Sequence, residues 1–100
     1  MKKLYISLPI TGRNINDIEL DIQEAQLINY KYDCVTSFDK NDTDESYSYY
    51  MGKSIELLLD CDCITFLKGW QNSKGCRAEY ALARIYGKEI INVWETNNLW

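Results

Sequence analysis

The sequence predicts an α/β fold: a small Rossmann-like, flavodoxin-like parallel sheet of about four to five strands flanked by helices. Three observations lead there. Apolar residues switch repeatedly between strand-like runs and helical spacing, in the order βαβαβαβ. The joints are short and rich in Gly, Ser and Asn, which suits crossover connections and leaves few right-handed topologies. The stretch Gly69 to Ala83 then reads as turn and helix directly after the apolar run Cys61 to Leu67.

Lys3 to Leu8 is β-rich and stops at Pro9, and Thr11-Gly12-Arg13-Asn14 makes a turn. Ile15, Ile18, Ile22 and Ala25 recur at helical spacing with Asp17, Glu19, Asp21 and Glu24 between them, so an amphipathic helix runs to about Asn29. Tyr32 to Thr36 reads as a short second strand. Asp39 to Ser46 is polar, acidic and aperiodic, hence a loop. Met51, Ile55 and Leu58 restore helical spacing over Tyr47 to Leu59. Cys61 to Leu67 is the third strand and Ser73 to Tyr86 the third helix. Gly87 suits a helix stop, and Ile90 to Trp94 is the fourth strand.

One hundred residues make a single domain, 1–100, able to bury one core. A net charge of -4 without a basic cluster argues against nucleic acid and anionic membrane as partners. No apolar run reaches a membrane span, and the segment before Pro9 is too short for a signal peptide, so a cytoplasmic protein is expected. Cys34, Cys61, Cys63 and Cys76 lack the paired knuckles of a zinc site, and Cys61-x-Cys63 in a strand puts both sulfurs on one face. Reduced, buried cysteines follow, with neither metal nor cofactor expected. The absence of His excludes Ser-His and Cys-His nucleophile pairs and leaves acid–base work to carboxylates, Tyr, Lys or Cys.

Ligands of parallel sheets bind beyond the carboxyl ends of the strands, which selects the loops Pro9 to Asn14 and Lys68 to Gly75. Both carry Gly, hydroxyl or amide residues, with Arg13 and Lys74 as cations. Neither holds the G-x-G-x-x-G fingerprint or a Walker loop. The second loop opens the third helix, whose unpaired N–H groups and dipole favour an anion. Glu79 lies about one helical turn inside that positive mouth. A phosphate-friendly turn beside a single carboxylate suits nucleotide chemistry; a capped helix with a solvated Glu is the plainer alternative.

Tyr5-Ile6-Ser7-Leu8-Pro9-Ile10-Thr11-Gly12, Met51-Gly52-Lys53-Ser54-Ile55, Asp62, Gly69-Trp70 and Ser73 to Ala81 resemble the DUF4406 family of small proteins. That family looks like a minimal nucleoside 2-deoxyribosyltransferase fold and is similar to the 2′-deoxynucleoside 5′-phosphate N-hydrolases. The resemblance covers almost the whole chain. It implies that Glu79 is the carboxylate attacking the sugar C1′ and that Tyr5 orients it. It implies that Ser73 contacts phosphate, that Gly75 belongs to the same loop, and that Thr11, Gly12 and Arg13 help hold the 5′ end of a small-molecule nucleotide or nucleoside. Two positions depart from the enzymes: Ser54 stands where they keep an Asp that handles the proton of the base, and Leu8 where relatives often have Gly.

Displacement at the anomeric carbon needs a carboxylate on one face and help for the leaving base on the other. Asp62 and the Asp39 to Glu45 loop are substitutes for the missing acid, Arg77 is a partner for Glu79 or phosphate, and Tyr47, Tyr49 and Tyr50 are stacking candidates. Each also has a structural reading. A non-catalytic binder that sequesters or senses a nucleotide-derived ligand is the rival function, since it needs no acid at Ser54; an assembly module without a pocket is the third. The aromatic load suggests a homo-oligomer, with Asn97 to Trp100 as a docking segment.

Overall fold

An Asn or Ser opens each helix among the described residues. Asn14 Oδ1 accepts from the N–H of Asn16 ahead of α1 (Ile15–Ile28), Ser46 Oγ from Tyr49 ahead of α2 (Tyr47–Leu59), and Ser73 Oγ from Cys76 ahead of α3 (Lys74–Ile85). Each cap satisfies an N–H that the helix itself cannot pair. The computed structural model describes residues 1–95, and the docking segment proposed at Asn97 to Trp100 lies outside them. The helices alternate with β1 (Lys3–Ser7), β2 (Asp33–Val35), β3 (Cys63–Phe66) and β4 (Glu89–Ile90). All pairings are parallel, in the order β2-β1-β3-β4. The fold is the expected small Rossmann-like α/β sheet with four strands and three helices.

Each sheet face has its own apolar cluster. Ile6 and Leu8 meet Ile18 and Ala25 of α1 together with Leu67. Tyr5, Ile64 and Phe66 meet Leu58 of α2 with Cys76 and Ala83 of α3. The period of two along β1 separates these sets, so Tyr5 and Ser7 share the face covered by α2 and α3. Gly87, at φ 67, ends α3 as a Schellman turn: Lys88 N–H bonds Ala83 O at 2.8 Å and Gly87 N–H bonds Arg84 O at 3.3 Å.

The fourth strand is shorter than Ile90 to Trp94. Its ladder pairs only Glu89 and Ile90 with β3, because Asn92 turns the chain at φ 49. Asn is among the few residues that accept that conformation. Here its Nδ2 donates to Asn29 Oδ1 at 2.6 Å while its carbonyl accepts from Thr65 Oγ1 at 3.1 Å. A short 3₁₀ turn, Trp70–Asn72, lies between β3 and α3 after Gly69 at φ 87. All four cysteines are free, and Cys61, Cys63 and Cys76 are buried. No helix among the described residues is long and apolar enough to cross a membrane.

Candidate functional site

The order β2-β1-β3-β4 reverses direction between β1 and β3, and a cleft of about 1260 Å³ opens beyond the carboxyl ends of those strands. Its walls are the β1–α1 loop, the segment after β2, α2 and the start of α3. Of the residues singled out in the sequence, Tyr5, Thr11, Arg13, Ser54, Ser73, Gly75 and Glu79 all line it. Gly12 does not; it forms the turn at φ 76, with open space where a Cβ would stand.

Glu79 is held at the cleft wall by helical spacing. Cys76, Glu79 and Ala83 form the buried stripe of α3, so a carboxyl group sits where the pattern calls for an apolar side chain. It is 5% exposed. Ser7 Oγ donates to Oε1 at 2.9 Å, and Oε2 has no partner. Burial pushes the Glu79 carboxyl above its ordinary range, and the hydroxyls of Tyr5 and Ser7 offset only part of that rise. The acid form therefore persists to higher pH than in a solvated Glu.

Tyr5, 1% exposed, approaches the same carboxyl group from β1. The two side chains shift one another, but the phenol donates to Ser37 Oγ at 3.1 Å and Oε2 has no hydrogen-bond partner. Ser54 Oγ, from the buried side of α2, also donates to Ser37 Oγ, at 2.8 Å. Burial first, and then the charge of Glu79, push the Tyr5 phenol upward, so it remains a neutral hydroxyl. The Cys76 thiol is likewise raised by burial, with the Ser7 and Ser73 hydroxyls working against the shift.

The cations differ in whether a carboxylate holds them. Arg13 Nη1 donates to Pro9 O at 3.0 Å and Nη2 pairs with Asp21 Oδ2 at 2.6 Å, so the guanidinium braces its own loop. Lys68 and Lys74 line the cleft with exposed side chains. Arg77 is exposed and outside the lining. Ser73 Oγ accepts from Cys76 N–H at 3.3 Å while its own hydrogen stays available to the cleft. Beside it, the Lys74 and Gly75 N–H groups stand in the first turn, where no intrahelical partner exists.

Asp62 is removed from this chemistry: its Oδ2 accepts from Lys3 N–H at 2.9 Å, at the amino end of β1 and β3, opposite the cleft. The Asp39 to Glu45 loop does reach the cleft through Asp39, Asp42 and Thr43. Asp42 is held by Tyr49 Oη at 3.1 Å and Lys53 Nζ at 3.2 Å, and Tyr50 Oη accepts from Glu45 N–H at 3.0 Å. Tyr47 and Tyr50 face the cleft, whereas Tyr49 serves the loop. Among the described residues no three His, Cys, Asp or Glu side chains cluster as a metal site.

Sequence reasoning missed Ser7 and Ser37. The period of two from Tyr5 is the signal that would have found Ser7; nothing local marks Ser37, which depends on β2 and α2 meeting β1. Together these groups make a cleft with Lys68, Lys74 and the start of α3 on one side, Asp17, Asp21, Asp39 and Asp42 in its other walls, several hydroxyls, and one buried carboxyl oxygen with spare accepting capacity. Neither the curated proteins nor the solved structures yield a match to the chain. The model of one family, a domain of unknown function, matches residues 2–92, and the chain therefore belongs to the DUF4406 family.

Proposed function

We propose that the chain is an N-glycosidase or deoxyribosyltransferase-like protein acting on a (deoxy)nucleoside 5′-phosphate, with Glu79 as nucleophile. The observation that carries this reading is the unpartnered Oε2 of a buried carboxyl group in a cleft wall. Such an atom has lone pairs to offer an electrophile and little water competing for them. In the reaction, Oε2 bonds to the anomeric carbon as the bond to the base nitrogen breaks. The bonding pair leaves with the base, which gains a proton. Water or a second base then takes the glycosyl group and frees the carboxylate. Ser7 keeps the other oxygen in place throughout. The phosphate is received by Ser73, the Gly75 N–H and Lys74 at the positive end of α3. The nucleophile must be ionised, so base release rises with pH through the elevated Glu79 titration.

The test is base release from deoxynucleotides, followed by chromatography. Glu79→Gln abolishes it while nucleotide binding stays within about tenfold, because the amide keeps the shape but is a poor nucleophile. Ser54→Asp, which restores a proton donor for the base, raises the rate by about a hundredfold. Wild type and Ser54→Asp both inert, with nucleotide binding intact, would overturn the enzyme reading. One observation favours the rival: Ser54 is 8% exposed and already gives its hydrogen to Ser37, so it has no proton to offer a leaving base. A binder that sequesters or senses the nucleotide needs none. Both readings place a cytoplasmic homo-oligomer with a small-molecule partner, and light scattering decides the oligomeric part.

A further inference from the structure

Three tyrosines crowd the first turn of α2, and only two of their hydroxyls are spent. Tyr49 Oη donates to Asp42 Oδ2 and Tyr50 Oη accepts from Glu45 N–H, so both tie down the preceding loop. Tyr47 Oη has no hydrogen-bond partner among the described residues, and Tyr47 lines the cleft. Gly75, in the first turn of α3, locates that hydroxyl. A Cβ built on Gly75 would stand 3.8 Å from Tyr47 Oη, 3.9 Å from Ser73 Oγ and 3.5 Å from Met51 Sδ. The glycine leaves open a spot within 4 Å of two hydroxyl oxygens, one from α2 and one from the α3 cap. The N–H groups that α3 cannot pair lie beside it.

We propose that Tyr47 is a further binding residue of the cleft: its phenol donates to a phosphate monoester seated over Gly75, and so sets the preference for monophosphates over nucleosides. The inference rests on the nucleotide reading and gives the phosphate a contact from a second helix.

The donors of α3 all come from one short segment. Ser73 Oγ accepts from Cys76 N–H and keeps its own hydrogen, and the Lys74 and Gly75 N–H groups follow it. A phosphate monoester has three terminal oxygens to satisfy from separate directions. Tyr47 reaches the same mouth from α2 and supplies a donor without adding charge. Glu79 Oε2 is a second and independent sign that a ligand belongs here. It lacks a partner in a side chain 5% exposed, and it stands one helical turn from Gly75 on the same face of α3. A tyrosine that stacks on a base offers its ring face, whereas here the hydroxyl is what meets the α3 turn.

Calorimetry on the full chain tests this with the four common 2′-deoxynucleoside 5′-monophosphates, the matching deoxynucleosides and inorganic phosphate. Tyr47→Phe weakens monophosphate binding by about tenfold or more, the worth of a hydrogen bond to a charged group, and leaves deoxynucleoside affinity unchanged. Without ligand the variant melts at the wild-type temperature, since the hydroxyl holds nothing in the fold. Gly75→Ala fills the open spot at ordinary contact distances and weakens the same ligand. Combined with Tyr47→Phe, the two losses fall short of additive, because both act on one phosphate group. Equal monophosphate affinity in wild type and Tyr47→Phe overturns the inference. So does a loss as large for deoxynucleosides as for monophosphates, the mark of a stacking tyrosine. Inorganic phosphate bound as tightly as any monophosphate, or a wild type that binds no monophosphate, overturns it as well. Failure of the glycosidase reading shows separately, as wild type releasing no base while the Tyr47 difference in binding stands.

Discussion

Replacing Glu79 by Gln should make this protein more stable, and only above acid pH. The carboxyl group is 5% exposed, has a single hydrogen bond at 2.9 Å to Ser7, and carries an unpartnered oxygen. Burial raises its folded-state titration above the ordinary 4.5 of the unfolded chain. The sign follows from proton counting: between those two midpoints the folded state holds more protons than the unfolded one, so stability falls as pH rises. Below the unfolded midpoint both states are protonated and no penalty exists; above the folded midpoint both are ionised and the penalty is complete. Gln imitates the acid form. Its carbonyl accepts from Ser7, and it carries no charge to strip of water. Leaving a buried polar group unsatisfied costs about 1–3 kcal/mol, and Gln recovers that much at pH 8. Each kcal/mol moves the melting temperature of a domain this size by roughly 4–8 °C. Urea unfolding of both proteins from pH 4 to pH 8 measures it. A stability gap that does not change with pH, or a wild type that is the more stable at pH 8, would refute the reasoning.

Gly87→Ala costs about 1–2 kcal/mol in urea unfolding, because a Cβ is placed at φ 67 where the Schellman turn needs none. Space is not the cause, since nothing stands within 4 Å of the added carbon. Ser73→Ala removes the α3 cap and lowers stability by about 0.5–2 kcal/mol, whereas Ser73→Asp retains the cap. Under the nucleotide reading Ser73→Asp also repels phosphate, so calorimetry should find monophosphate binding lost while stability is kept.

The order of elements was legible because period two and period 3.6 alternate cleanly, and Tyr47 to Leu59 matches α2 to the residue. The end of α3 was marked by Gly87. The fourth strand was overread, since Ile90 to Trp94 has the composition of a strand and the turn at Asn92 is fixed by Asn29, 63 positions away in the chain. The carboxylate of the site was visible as Glu79, about one turn inside the third helix after the Gly/Ser/Asn turn. Its environment was not. Ser37 reaches Tyr5 across 32 positions and Ser54 across 17, and a local pattern contains no such information. Arg13 misled for the reverse reason: a cation in a ligand-facing loop looks free until the helix behind it supplies Asp21.

The brevity of the outer strands has a bearing on solubility. β2 contributes three residues to its edge of the sheet and β4 only two, after which Asn92 swings the backbone out of the extended path. Unpaired N–H and C=O groups along a long flat edge act as a template for another chain, and these edges offer little to copy. The inner strands, rich in the β-branched and aromatic residues that favour cross-β stacking, are shielded between them. Among the described residues, then, the apolar strands can reach another molecule only after the outer pair has come away, which makes loss of β2 or β4 the step to suppress against aggregation.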